Sequence, residues 1–496
     1  MATQGTTDEH RLASGSTISL MGIVTDRGLR WVVNWFLSGT LGKELYGVYA
    51  FITKALSQLI AAFAVIGLDT GMVYFGSRFQ TRGDWARLKG LLISGAAIAS
   101  GGGMVAGLAL TVGATGIWPE DPTTASAARW GGIIVALWSP LLFIVGTLRA
   151  VKDMRSSAMA YQITVPLALL LGVLVSTGFG WGIWGVLAAY TTALMAGLVA
   201  AIRMAWPHYK AILTNNQITP HFEMRKLLAF SVPQSLAAMV FRLNLRMDYL
   251  MLMWLSTSGE VGIYDIAAGL AILGALPVNA VITMLNPLIA ELIESKEIQR
   301  LNHLVKTATR WLIMLAIPPY MVLMLLPDII LSVYDPVYMQ SAAPLLILCG
   351  GQIIAVACAP TMTLIPMSGH SMLNLANGVV AAIVNITLNF LLIPEFGVVG
   401  AAIATSITLA SWGLWRVAEV WWLLRCFPFT LKTGGVLCLS IAGVALVATI
   451  CSDSSTLVRV VSTGMLLVGY LWVARLLITS QDRQFIAQMT KRSTST

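Results

Sequence analysis

Five basic side chains stand where a chain of this composition has least reason to place them. Arg27, Arg30, Lys54, Arg242 and Arg246 fall inside long apolar stretches of a 496-residue sequence that is 57% hydrophobic and 11% charged, against about 25% charged in soluble domains. Arg30 follows Arg27 by three and Arg246 follows Arg242 by four, so each pair shares one helical face. At a bilayer centre an arginine costs about 2.5–3.5 kcal/mol on insertion scales, so such groups face water, a ligand or a counter-charge rather than lipid. Their chemistry is anion binding, because a guanidinium offers paired donors to phosphate. Asp26, Asp248 and Asp265 are the carboxylates within reach, and five bases against three acids leave the site net positive. Two readings are open: the cations are tied to these carboxylates and hold helices together, or they line a hydrated cavity for an anionic substrate. Asp26, Asp248 and Asp265 also serve as candidates for coupling an ion. Asn34, Gln234, Asn244, Asn385 and Asn389 are further polar candidates, with interhelical hydrogen bonding as their other reading. Arg416 and Glu419, three apart, read as a self-paired couple or a snorkelling helix end.

The elements that must position these groups are membrane helices. Mean hydropathy is +0.80, and no Asp, Glu, Lys or Arg occurs from Ser156 to Ile202 or from Pro336 to Pro394. Each of those stretches holds at least two spans. Hydropathy with turn signals predicts about fourteen transmembrane helices, among them 15–38, 45–68, 227–256, 261–290, 371–393 and 397–424. Of the 31 Lys and Arg, 22 fall in one set of loops and 2 in the other, which places both termini in the cytoplasm. The N-terminus lacks the basic region and short apolar core of a cleaved signal. The five cysteines show no metal-like spacing. No Walker loop, metal cluster or nucleophile set is legible, so no catalytic residue, metal or cofactor is expected, and topology accounts for the basic excess without nucleic acid.

The chain repeats itself at an offset of 215. Tyr46-Gly47-Val48-Tyr49 matches Val261-Gly262-Ile263-Tyr264, and Gly182-Ile183-Trp184-Gly185 matches Gly397-Val398-Val399-Gly400. Arg27 and Arg242 stand at the same offset; Lys54 does not repeat, its partner position being Gly269. The expected organisation is an all-α integral membrane protein. It has a cytoplasmic tail (1–14), a six-helix half (15–205), a cytoplasmic linker (206–226), a second six-helix half (227–424), two additional helices (425–478) and a cytoplasmic tail (479–496). An even number of spans per repeat relates the halves by a pseudo-twofold along the membrane normal, which permits alternating access at a central site.

With these segments in view, the chain resembles the polysaccharide transporter branch of the multidrug, oligosaccharidyl-lipid and polysaccharide flippase superfamily. The resemblance covers nearly the whole length. It rests on Leu41-Gly42 before Tyr46-Gly47-Val48-Tyr49, Phe230-Ser231-Val232-Pro233, Asp248-Tyr249 leading to Val261-Gly262-Ile263-Tyr264, and Asn385 with Leu388-Asn389. Ile393-Pro394 and Phe396-Gly397 through Gly400-Ala401-Ala402-Ile403-Ala404-Thr405 complete it. The resemblance implies export of an undecaprenyl-pyrophosphate-linked oligosaccharide across a bacterial inner membrane, from cytoplasmic to periplasmic leaflet. It further implies that Arg27, Arg30, Arg242 and Arg246 contact pyrophosphate or acidic sugars, that the last two helices form a lipid groove, and that H+, Na+ or the membrane potential drives transport. Implied partners are a lipid-linked anionic glycan, membrane lipid, and a polysaccharide polymerase or other envelope-biosynthesis proteins. Two other functions fit the architecture: a multidrug extruder coupled to Na+ or H+, which would want a net acidic cavity, and a non-transporting scaffold, which would leave the arginines in salt bridges.

Overall fold

A computed structural model describes residues 2–450 and 455–477. Side chains are described from residue 21 onward, apart from several positions between 224 and 287 and at the end of the last helix. The predicted tail 479–496 and the side chain of Gln234 lie outside the described residues. Every regular element is helical. In chain order these are α1 (Ala2–Ala50), α2 (Ser57–Val65), α3 (Leu68–Gly71), α4 (Ser77–Arg82), α5 (Trp85–Ile117), α6 (Pro122–Ala150), α7 (Met154–Ala158), α8 (Val165–Gly178), α9 (Gly182–Leu213) and α10 (Met224–Leu255). There follow α11 (Ser258–Gly274), α12 (Leu276–Glu294), α13 (Ile298–Leu325), α14 (Pro327–Leu331), α15 (Ala342–Cys358), α16 (Thr361–Met367), α17 (Ser371–Leu424), α18 (Leu431–Ile450) and α19 (Thr456–Leu477). Turns of π-helix at Phe51–Leu56, Met72–Gly76 and Met159–Thr164 join neighbours without a loop.

Among the described residues, ten helices are long and apolar enough to cross a membrane. Two of them, Met21–Val65 and Ser371–Leu424, each cover two predicted segments, because Gly42 (φ 71°, ψ 168°) and Gly397 (φ 53°, ψ −129°) break the helix where the sequence predicts loops. The predicted segments 227–256 and 261–290 are not among the ten. The first is α10, which carries Arg225, Lys226, Arg242, Arg246 and Asp248; the second is split at Ala275 into α11 and α12. The ten therefore do not by themselves make up the expected fourteen.

The chain divides into two compact units, residues 1–266 with 378–401, and residues 267–377 with 402–496. In the first unit, helix starts follow local chemistry. Asp84, Asp121 and Asp153 accept from the backbone N–H groups of Arg87, Thr124 and Ser156 at 3.0–3.2 Å, and Pro122 sits in the first turn of α6. α5 and α6 approach closely at small residues: a Cβ on Gly107 or Gly132 would lie 2.3 or 2.4 Å from the other's carbonyl oxygen. The predicted linker is not a free tether. Its first residues extend α9, and the rest is strapped to α5, with the Lys89 ammonium donating to the Asn215 carbonyl (2.8 Å) and the His221 N–H to that of Ala86 (3.0 Å). The hydrogen bond from Lys226, with burial opposing it and the Arg87 charge assisting, holds the Glu223 carboxyl below the usual carboxylate range.

The repeat is visible inside this unit. Gly182 and Gly397, paired at offset 215, both adopt left-handed backbone (φ 57° and 53°). A Cβ on Gly47 would lie 1.7 Å from the Ser258 carbonyl oxygen, and one on its mate Gly262 would lie 2.5 Å from that of Lys43. Lys43 and Ser258 are themselves 215 apart. Residue i meeting j while j's mate meets i's is the signature of contact about a two-fold axis.

The second unit centres on α13. Pro318 has no N–H for the Met314 carbonyl one turn earlier, and the Tyr470 hydroxyl of α19 donates there, at 3.3 Å to Met314 and 3.2 Å to Ile313. Arg459 ties the other end of α19 to Asp328 (2.6 Å) and to the Leu325 carbonyl (3.0 Å). α19 is thus bonded into this unit by side chains that sequence periodicity does not single out. Arg416 and Glu419 do not pair. Arg416 donates to Asn374 Oδ1 (2.8 Å) and lies 4.3 Å from the Trp412 ring centroid, while Glu419 accepts from Asn377 and from the Trp415 indole.

Candidate functional site

All five predicted bases and all three predicted acids lie in the first unit. Lys54 projects from the π-helical turn Phe51–Leu56, a form of backbone that recurs at functional sites. Its ammonium lies 2.6 Å from Asp265 Oδ2. The Asp265 carboxylate also accepts from the hydroxyls of Tyr46 (2.5 Å) and Tyr249 (2.8 Å). It is 4% exposed, and three donors offset the desolvation of its charge. Arg30 is likewise committed, its Nε lying 2.7 Å from Asp26 Oδ1 one turn back on α1.

Asp248 is also buried, and amides and a phenol hold it. Asn389 (2.9 Å), Asn385 (3.3 Å) and Tyr264 (2.7 Å) donate to its oxygens. Asn385 and Asn389 are four apart, so both amides come from one face of α17. Tyr49 and Tyr264, mates in the repeat, do different work: Tyr264 reaches Asp248, whereas Tyr49 packs edge-on to Tyr190 at 6.3 Å.

Arg27, Arg242 and Arg246 differ from Arg30 and Lys54. Among the described residues, no carboxylate lies within 4.0 Å of any of them. Arg246 donates to Gln58 Oε1 (3.2 Å) and lies 5.8 Å from the Tyr249 ring centroid. Arg27 is attracted by Asp26 and, more weakly, repelled by Arg246, and Lys54, paired with Asp265, also feels Arg246 and Arg30. Arg242 acts with Arg30 and Asp26 on the Tyr161 ring, and it lines a cavity of about 20 Å³ with Gly67, Asp69 and Thr70. That space holds about one water. The site thus divides into two pairs at bonding distance and three cations without one, of which Arg27 still feels Asp26 and Arg242 shares its small cavity with Asp69.

Of the remaining predicted polar residues, Asn244 donates to the carbonyls of Val240 (2.9 Å) and Gly378 (3.1 Å), a tie between α10 and α17. Asn34 is half-buried on α1. Residues that sequence reading missed are Gln58, four after Lys54 and on its face, and the tyrosines Tyr46, Tyr249 and Tyr264. The i, i+4 spacing signals Gln58. The tyrosines appear in the repeat and in the resemblance, but an aromatic in an apolar run reads as core until its hydroxyl's partner is known.

The sequence is 30% identical over 173 residues to the probable flippase AglR of Haloferax volcanii, a match covering 33% of this chain and only 36% of that relative. In fold, the chain is similar to the lipid II flippase MurJ in an inward closed conformation, with a TM-score of 0.69 at 13% identity over 96% of this chain and 100% of that one. An inward-facing multidrug resistance MATE family transporter of the MOP superfamily gives 0.68 at 13% identity, over 80% and 95%. The architecture is therefore that of an all-helical, multi-pass membrane protein. Residues 12–293, more than half of the sequence, match the family described as polysaccharide biosynthesis protein, and the chain belongs to that family.

Proposed function

We propose that this protein is a flippase that moves a lipid-linked anionic oligosaccharide, carried on undecaprenyl pyrophosphate, from the cytoplasmic to the periplasmic leaflet of a bacterial inner membrane. The observation that carries the reading is the sorting of charges in the first unit. Arg30 and Lys54 have a carboxylate at bonding distance, whereas Arg27, Arg242 and Arg246 do not, and Asp26 offsets only part of the charge that Arg27 and Arg246 bring together. Holding like charges together costs free energy that an anionic ligand recovers, and the guanidinium fork suits a pyrophosphate. A pump for lipophilic cations would want the opposite sign. The name of the Haloferax volcanii relative and the fold shared with a lipid II flippase agree with this assignment. In the second unit, α13, α15 and α18 enclose an apolar cavity of about 470 Å³ lined by residues such as Ile317, Met321, Ile353 and Val444, which suits a polyprenyl or acyl chain.

Alternating access between the two repeats is the mechanism, with both termini cytoplasmic. Asp26, Asp248 and Asp265 are the candidates for coupling H+ or Na+; Asp265 is committed to Lys54 and Asp26 to Arg30. Membrane lipid and a polysaccharide polymerase or other envelope-biosynthesis proteins are the partners this role requires.

The test is charge reversal. Arg27→Glu or Arg242→Glu should stop polymer export and cause lipid-linked precursor to accumulate in the cytoplasmic leaflet, at unchanged protein level. Undiminished export would overturn the assignment, and so would a purified protein that binds lipophilic cations in preference to polyprenyl pyrophosphates.

A further inference from the structure

The helix that carries Lys54 is interrupted further along, and the interruption packs against the helix that carries Arg242. Ile66 and Gly67 are both left-handed (φ 51° and 68°), which ends α2 at Val65 and starts the four-residue helix α3 at Leu68. A β-branched residue avoids that region, and strained backbone of this kind collects at segments that switch between arrangements. Beyond α3 the chain enters the π-helical turn Met72–Gly76, so α3 is flanked by irregular backbone on both sides.

α3 is wedged between two helices of its own unit. A Cβ on Gly67 would lie 2.6 Å from the Ser235 Cβ and 2.7 Å from the Ser231 carbonyl oxygen, and one on Gly71 would lie 2.3 Å from Ser231 Oγ. On the opposite side, a Cβ on Gly146 of α6 would lie 2.8 Å from the Asp69 carbonyl oxygen. Ser231 and Ser235 precede Arg242 on α10 by about three and two turns. The contact therefore closes Arg242 off from the end at which α10 begins, the cytoplasmic end by the distribution of basic residues. The space that remains is the cavity of about 20 Å³ lined by Gly67, Asp69, Thr70 and Arg242, enough for one water but not for a phosphate. Asp69 and Arg242 bring opposite charges to it, and among the described residues neither has an ionic partner within 4.0 Å. A single water between carboxylate and guanidinium links them nearly as well as a direct bond. The flippase reading gives the same guanidinium to a pyrophosphate, so Asp69 and the substrate compete for it.

We propose that α3 is the cytoplasmic gate of the cation site, hinged at Ile66–Gly67, and that Asp69 holds it shut through Arg242 until the anionic headgroup of the substrate takes its place. The inference rests on the flippase assignment and adds the element that opens to admit the phosphates. Asp69 is thereby a positioning residue that acts through Arg242. A ligand that needs the open gate binds more weakly by the fraction of molecules that are closed, so loosening the latch raises its affinity.

The experiment measures binding of undecaprenyl pyrophosphate to purified protein in nanodiscs. In a background without native cysteines, it also measures the rate at which an added oxidant joins Thr70→Cys to Ala238→Cys, two positions that line the same cavity. Asp69→Asn keeps the volume and removes the charge; it should tighten binding about tenfold and slow the cross-link. Asp69→Glu, which restores the charge, should return both toward wild type. Saturating lipid should slow the cross-link wherever Asp69 is present. An aspartate with a merely structural role would change the melting temperature without raising affinity. Unchanged or weaker binding by Asp69→Asn, or a cross-linking rate indifferent to the lipid, would overturn the gate. The flippase assignment would still stand if wild type binds the lipid and Arg27→Glu does not. A wild-type protein that binds no polyprenyl pyrophosphate would overturn that assignment and the gate with it.

Discussion

At Asp265, one carboxylate is held by an ammonium and two phenols inside an apolar unit. Breaking such a pair from one side leaves a buried uncompensated charge and costs about 3–5 kcal/mol, whereas replacing both partners by apolar groups is often nearly neutral. Lys54→Met alone should therefore lower the melting temperature in detergent markedly, and Lys54→Met with Asp265→Leu should regain most of the loss. A double variant no more stable than the single one would show that Asp265 depends on its tyrosines rather than on Lys54. Asp248 invites a different substitution. Asp248→Asn keeps the volume and removes the charge, so folded protein should persist while transport in liposomes loses its dependence on an imposed H+ or Na+ gradient. Gradient-dependent transport by this variant would exclude Asp248 as the coupling group.

Among elements, the kinked α1 and the start of α11 meet through Gly47 and Gly262, where the backbone of each occupies the space a side chain on the other would need. Gly47→Val and Gly262→Val should each reduce the yield of folded protein sharply. By the two-fold relation the two should act alike, and a strong effect from one with none from the other would contradict the reciprocity. At the far end of the chain, the Tyr470 hydroxyl serves the carbonyl that Pro318 leaves without an N–H. Tyr470→Phe should cost about 1–2 kcal/mol, read as a fall in melting temperature. The same change in a Pro318→Ala background, where the helix supplies its own donor, should cost less.

For the whole molecule, the count of basic residues predicts topology. In a background without native cysteines, an impermeant maleimide should reach Lys152→Cys from the cytoplasmic side and Glu120→Cys only from the opposite side. Labelling of both from one side would refute the orientation. The sequence by itself determined the class, the repeat and the positions of the unusual charges, because hydropathy over about 20 residues and a fixed offset are one-dimensional properties. It placed breaks close to Gly42 and Gly397, where the glycines interrupt the helix, but one helix at 261–290, where Ala275 divides two. Only the tertiary structure decided which charges are spent and which are free. Lys54 and Asp265 are 211 residues apart, Asp248 and Asn389 are 141 apart, and Arg416 passes over its neighbour Glu419 for Asn374. Pairing in an apolar interior depends on distances of about 3 Å between separate helices, and no local pattern encodes them.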